Sequence, residues 1–188
     1  MSASLTPALR QLDAWLQAHR PGDEREERDV ERVRALLRRP APFWRQTFLP
    51  GHLTASAVVV DPSRARTRLV FHAKLERWLQ PGGHFEPGED DPRVAARREV
   101  QEETGLEADL DPAGPALLDV DVHTIPARAL EPAHEHFDLR LSFVARPGEV
   151  VAGEGTRAAR WVGREELPGL GLDPGLVRAL IKVGLLGG

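Results

Sequence analysis

The chain of 188 residues contains no cysteine, which excludes disulfide bonds, thiolate metal sites and cysteine nucleophiles together. It also lacks any apolar run approaching the ~20 residues of a membrane-spanning helix. The first residues hold neither the basic region nor the apolar stretch of a secretory leader, so a cytoplasmic location is the expectation. Neither charge is in large excess: 25 Lys and Arg stand against 29 Asp and Glu, for a net charge of −4. That balance argues against nucleic acid as the main partner. An anionic substrate stays open, because a bound cation reverses the local field. Internal repeats and low-complexity segments are absent as well. What is there, 41% apolar and 29% charged residues, is a globular composition, with enough length to bury a core in one domain carrying an extension.

The residue pattern predicts that extension to be helical. Thr6-Pro7 opens a first helix with Leu5, Leu9, Leu12 and Leu16 in an apolar stripe, and Pro21-Gly22 ends it. A second helix starts near Asp23 and turns Val30, Val33 and Leu37 inward. Its Arg25, Arg28, Arg32, Arg34, Arg38 and Arg39 interleave with Glu24, Glu26, Glu27, Asp29 and Glu31. The expectation is therefore an outward face of intrahelical ion pairs, not a basic patch. Prolines 40, 42 and 50 mark a connector. Strands are expected at 55–60, 67–72 and 78–80, the last delivering the chain to a Gly82-Gly83 loop. Alternating strands follow at 117–123 and 134–145, a short one at 160–162, and a helix from Asp173-Pro174 with Val177, Leu180 and Ile181 on one side. Mixed helices and strands of this kind predict an α/β fold with α/β/α layers around a mixed sheet. Residues 1–50 would form the helical extension, as a cap or a homodimerisation arm, and 51–188 the main domain.

One region carries chemistry. Gly82-Gly83-His84-Phe85-Glu86-Pro87-Gly88-Glu89 leads to Arg98-Glu99-Val100-Gln101-Glu102-Glu103-Thr104-Gly105-Leu106. Asp91 suits a helix cap, Pro92 the first helical position and Gly105 the exit. Inside that helix Glu99, Glu102 and Glu103 stand at i, i+3 and i+4, so their side chains converge. Each like-charged pair at this spacing costs about a few tenths of a kcal/mol, and a bound divalent cation would reverse that sign. Mg2+ suits such a site, since it takes one or two carboxylates and leaves other positions to water and phosphate. A glutamate-rich helix alone is usually a solvated face. Here the glycine run, the helix start and the helix stop agree around it.

These residues resemble the Nudix box, G-x5-E-x7-R-E-U-x-E-E-x-G-U with U apolar, the signature of hydrolases of nucleoside diphosphates linked to another group. Gly83, Glu89, Arg98, Glu99, Val100, Glu102, Glu103, Gly105 and Leu106 occupy its fixed positions. The chain departs from the pattern in one respect: eight residues, not seven, lie between Glu89 and Arg98. The additional residue falls in the Asp90-Asp91-Pro92 turn and bears on the ion pair that family members form between these two positions. The resemblance implies the α/β/α fold from about Leu53 onward. It implies Mg2+ (or Mn2+) held by Glu99, Glu102, Glu103 and the carbonyl of Gly83, with Arg98 orienting the carboxylates. The reaction implied is water attack on phosphorus in a small nucleotide: a nucleotide sugar, ADP-ribose, a dinucleoside polyphosphate or a nucleoside triphosphate. Glu99 or Glu102 is the expected general base, with Glu131, His134, Glu135 and Glu154 as candidates outside the box. A nucleotide-binding or regulatory module without turnover is the alternative. The related isopentenyl-diphosphate isomerase activity relies on a cysteine that this chain lacks.

A second constellation lies in the two alternating strands. Phe137, Leu139, Leu141 and Phe143 point one way, and His134, His136, Asp138 and Arg140 the other. Leu118, Val120 and Val122 likewise oppose Asp119, Asp121 and His123. Paired as a hairpin across 124–133, the strands would put both His/Asp faces on one side of the sheet. That side could line a substrate pocket, hold a second metal through imidazole and carboxylate, or simply face solvent. The pocket expectation names His84, His123, His134, His136 and Asp138 as substrate-binding. His52 and His72 read as structural groups. Any of Trp15, Trp44, Trp78 and Trp161 could stack a base, but Trp78 and Trp161 fall in strands and read as core.

Overall fold

The computed structural model describes residues 5–128, 130–146 and 156–187. Its helices begin where the sequence offers caps. Helix α1 (Pro7–Ala18) is capped by Thr6, α2 (Glu24–Leu36) by Asp23, α3 (Pro92–Thr104) by Asp91 and α4 (Pro174–Lys182) by Asp173. Each cap accepts a first-turn N–H, an interaction that contributes about 1 kcal/mol. Helix α3 stops at Gly105, whose φ of 67° lies in the left-handed region that glycine enters without strain.

Eight strands form one mixed sheet: β1 (Gly51–Val60), β2 (Arg66–His72), β3 (Arg77–Leu79), β4 (Gly82–His84), β5 (Asp109–Leu110), β6 (Asp119–Ile125), β7 (His134–Val144) and β8 (Thr156–Gly163). At its centre β1 runs parallel to β7, from Gly51 opposite Glu135 to Val60 opposite Val144. On the far side of β7 lies β6, antiparallel, as the expected hairpin. The other edge of β1 is shared by β4 and β2, and β2 is flanked by β3 and β8. The expected Gly82-Gly83 loop is in fact strand β4: Gly82 and Gly83 pair with Ser56 and Ala55. Missing side chains permit this close approach, since a Cβ on Gly82 would lie 2.3 Å from that of Ser56.

Strand alternation gives the sheet two faces. On one, Leu53, Ala55, Ala57 and Val59 of β1 join Phe137, Leu139, Leu141 and Phe143 of β7 in a core that also takes in α1, α2 and α3. Leu9, Leu12, Leu16, Val30, Val33 and Leu37 are buried in that same cluster, as their stripes predict. On the other face, Val58 and Val60 meet Leu176, Ala179 and Leu180 of α4. The layers are those of an α/β/α sandwich.

The polar side of α2 departs from expectation. Glu26 and Asp29 do not point outward: both are buried, and they accept the N–H groups of Val120 and Val122, each at 3.1 Å. These donors lie on the edge of β6, which pairs only with β7 among the described residues. An open strand edge leaves unpaired donors, and two carboxylates one helical turn apart satisfy alternate ones here. Arg25 reaches from the same helix to Asp121 at 3.0 Å. Intrahelical pairing survives on the outer side, as between Arg28 and Glu24.

Candidate active site

Helix α3 is anchored by Ala95, Ala96 and Val100, all fully buried against the sheet. That packing turns its carboxylate stripe toward β4. Arg98 organises the stripe. Its Nε and Nη2 donate to the two oxygens of Glu89, both at 3.0 Å, so the additional residue in the intervening turn does not separate the pair. The turn absorbs it while keeping Asp91 in place as the cap. Arg98 Nη1 donates to Glu99 at 2.9 Å and Glu102 at 3.0 Å, and Nη2 to the carbonyl of His84 at 2.8 Å. One guanidinium thus ties helix, preceding loop and strand β4 together, as its rigid fork of donors allows.

The carboxylates differ in setting. A Cβ on Gly83 would stand 2.4 Å from Glu99 Oε1, so Glu99 lies directly against that glycine. Glu103 accepts the Gly82 N–H at 3.0 Å. The Glu102 side chain is the open member, 54% exposed. Burial pushes Glu103 up to about 7, opposed by the Gly82 N–H and reinforced by the charges of Glu99 and Glu102. Burial raises Glu99 as well, against the pull of Arg98. The Arg98 hydrogen bonds hold Glu89 below the usual range. A converging set of partly desolvated carboxylates favours an added positive charge, of the kind a divalent cation would bring.

The opposite sheet face is polar across β6, β7, β1 and β4. Register sets His123, His136 and His52 in one row, then Asp121, Asp138, Thr54 and His84, then Asp119, Arg140, Ser56 and Gly82. The His/Asp faces of the hairpin do share a side. Little of it is a solvent-facing surface, however: Asp119, Asp121, Asp138 and Arg140 are all buried. Arg140 donates to Asp138 at 3.1 Å and Asp119 at 3.2 Å, and α4 brings Arg178 onto Asp119 at 2.7 Å. Asp138 also accepts from Thr54 at 3.0 Å and Ser56 at 2.7 Å. The structure therefore commits Asp138 to a buried network, with its lone pairs occupied by the protein, and not to an open pocket wall.

The remaining end of this face collects five of the seven histidines. His136 is the hub, its ring centre 4.9 Å from those of His52 and His84, 5.2 Å from His134 and 5.6 Å from His123. Burial and neighbouring imidazoles hold His136 down at about 2 and His84 at about 4, and burial lowers His52 too, so these rings are neutral at pH 7. The sequence had set His52 aside as structural. Parallel pairing of β1 with β7, which no local pattern encodes, places it directly beside His136. His72 is structural as expected: its Nδ1 accepts the N–H groups of Lys74 and Leu75.

Among the other residues singled out, Glu135 is engaged by Arg32. Arg128 and Glu131 exchange backbone hydrogen bonds. Glu154 lies outside the described residues. Trp78 and Trp161 pack against the two cores, as expected, while Trp44 is exposed.

Residues 50–180 match the family model of the NUDIX domain. Solved structures share the architecture. A NUDIX-family hydrolase from Clostridium perfringens is 27% identical with a TM-score of 0.54, over 71% of this chain and 97% of that one. The NUDIX domain of Shewanella oneidensis NrtR, solved with ADP ribose, is 14% identical with a TM-score of 0.51, over 70% and 85% of the two chains. An Ap4A hydrolase from C. elegans is 18% identical with a TM-score of 0.50, over 70% and 94%. The last two share the fold. No curated protein matches the chain.

Proposed function

Since the chain belongs to the Nudix family of hydrolases, we propose that it cleaves the diphosphate linkage of a nucleoside diphosphate joined to a further group, using a divalent cation held on α3. The observation that carries this reading is the carboxylate stripe of α3 set against β4: Glu99 lies on Gly83, Glu103 is held by the Gly82 N–H, and Arg98 orders Glu99 and Glu102. The donor set fits Mg2+ (or Mn2+): it is oxygen only, and the missing Cβ of Gly83 leaves the room that a larger residue would fill. Glu99, Glu102, Glu103 and the Gly83 carbonyl would hold the ion. Bound there, it supplies charge compensation on the phosphoryl oxygens and acidifies water.

The chain's own groups do the rest. Arg98 fixes Glu99 and Glu102 in one orientation, so no reorganisation is needed as charge develops. Glu102 is the most open carboxylate, which favours it over Glu99 as acceptor of a proton from water. His84, His123, His134 and His136 line the neighbouring end of the sheet, where we place the part of the substrate beyond the diphosphate. Asp138, one row along the same face, is held in the buried network beside that wall.

A panel of nucleotide sugars, ADP-ribose, dinucleoside polyphosphates and (oxidised) nucleoside triphosphates tests the reading. At least one should yield a nucleoside monophosphate or phosphate in the presence of Mg2+ or Mn2+. The double variant Glu102→Gln plus Glu103→Gln should lower kcat by roughly 10²–10⁴-fold, the range for losing an essential acid–base or charge-stabilising group. No turnover on any member, or turnover indifferent to the double variant, would overturn it in favour of a nucleotide-binding module.

A further inference from the structure

We propose that His52, His84 and His136 form a second metal site, for a divalent transition-metal ion of the Zn2+ class, on the sheet face opposite the carboxylates of α3. One ligating nitrogen from each of the three rings lies within 4.8 Å of those of the other two. Around an ion with bonds of about 2.0–2.1 Å, tetrahedral nitrogens stand ~3.4 Å apart, so small ring rotations close the set. His134 borders the set, its Nε2 3.3 Å from that of His136.

His52 supplies an independent indication. Its side chain is fully buried, its Nδ1 donates to the Thr47 carbonyl at 3.1 Å, and its Nε2 has no partner. A buried nitrogen lone pair without a donor is unfavourable, and native structures rarely leave one. Its ring centre is 4.9–5.1 Å from those of His84, His134 and His136, so the imidazole that carries the orphaned atom belongs to the cluster. His134 repeats the arrangement: its Nδ1 donates to the Pro132 carbonyl at 2.8 Å. Metal-ligating histidines typically give their other N–H to a backbone carbonyl, which fixes the tautomer and aims the free nitrogen. Imidazoles without thiolate favour Zn2+, Ni2+ or Cu2+ over Mg2+, so the two faces would select different metals.

The site shares His84 and His136 with the wall assigned above to the substrate, but its test is independent of the hydrolase reading, because metal retention is measured without turnover. The full chain, stripped with chelator, is loaded with Zn2+ or Co2+ and desalted; metal per chain is measured, and Co2+ visible absorption reports nitrogen coordination. Wild type should retain one Zn2+ per chain, and so should Glu102→Gln plus Glu103→Gln. His136→Ala should bind at least tenfold more weakly, with the Co2+ band lost. Should that variant unfold, as judged by circular dichroism, His84→Gln at the half-buried end of β4 reads out the same loss. Equal retention in wild type and the histidine variant, no retention in wild type, or loss confined to the glutamate variant would each overturn the proposal.

Discussion

Gly83 and His84 are neighbours in the chain but open onto opposite chemistries. The Gly83 side of β4 meets Glu99 of the carboxylate helix, and the His84 side meets the imidazoles of His52 on β1 and His136 on β7. Alternation along a single strand separates oxygen donors from nitrogen donors. The first set is built within two helical turns and tied down by Arg98, with Glu102 as its open member. The second rests on long-range pairing and on buried charge beneath it. The two sites should therefore fail differently.

The largest expected effect lies under the histidine face. Arg140→Ala leaves Asp119, Asp121 and Asp138 without their shared, fully buried partner, and should cost about 3–5 kcal/mol in urea unfolding. Glu102→Gln, on an open side chain, should stay within about 0.5 kcal/mol of wild type in the same assay. Equal losses from the two would erase the contrast.

Next comes Gly83→Ala. Its new Cβ would stand 2.4 Å from Glu99 Oε1, displacing that carboxylate by about an ångström. A misplacement of this size costs ~10²-fold in turnover. Zn2+ retention on the other side should persist, and losing both together would mean that the faces are not independent.

A smaller effect concerns α2. Although burial pushes Glu26 up, hydrogen bonds from His19, the Gly22 N–H and Lys182 hold it down at about 2. Its folded value lies below its unfolded one, so its contribution is complete above about pH 4.5 and disappears as the pH falls toward 2. Urea unfolding at pH 5 and pH 3 should show that decline, and Glu26→Gln, already weaker at pH 5, should show less of it. An unchanged slope would remove Glu26 from the account of how α2 holds β6.

The caps, the stop at Gly105 and the carboxylate stripe were legible because each depends on residues within one or two turns. The Glu89–Arg98 pair was not, since whether a turn absorbs one additional residue depends on its path. Glu26 and Asp29 look like surface charge until β6 brings its unpaired N–H groups against them. Asp138 alternates like a pocket residue, yet Thr54 and Ser56 reach it only across the parallel pairing.

By itself, the sequence determined the carboxylate helix and with it the family, because helical periodicity brings residues three and four apart together wherever the helix is placed. Only the tertiary structure decided that His52 stands beside His136, 84 positions away (136 − 52), with His84 and His134 around them. Parallel strands have no local turn to set their register. It comes from burying Leu53, Ala55 and Ala57 against Phe137, Leu139 and Leu141, and the histidines on the reverse face follow from that choice.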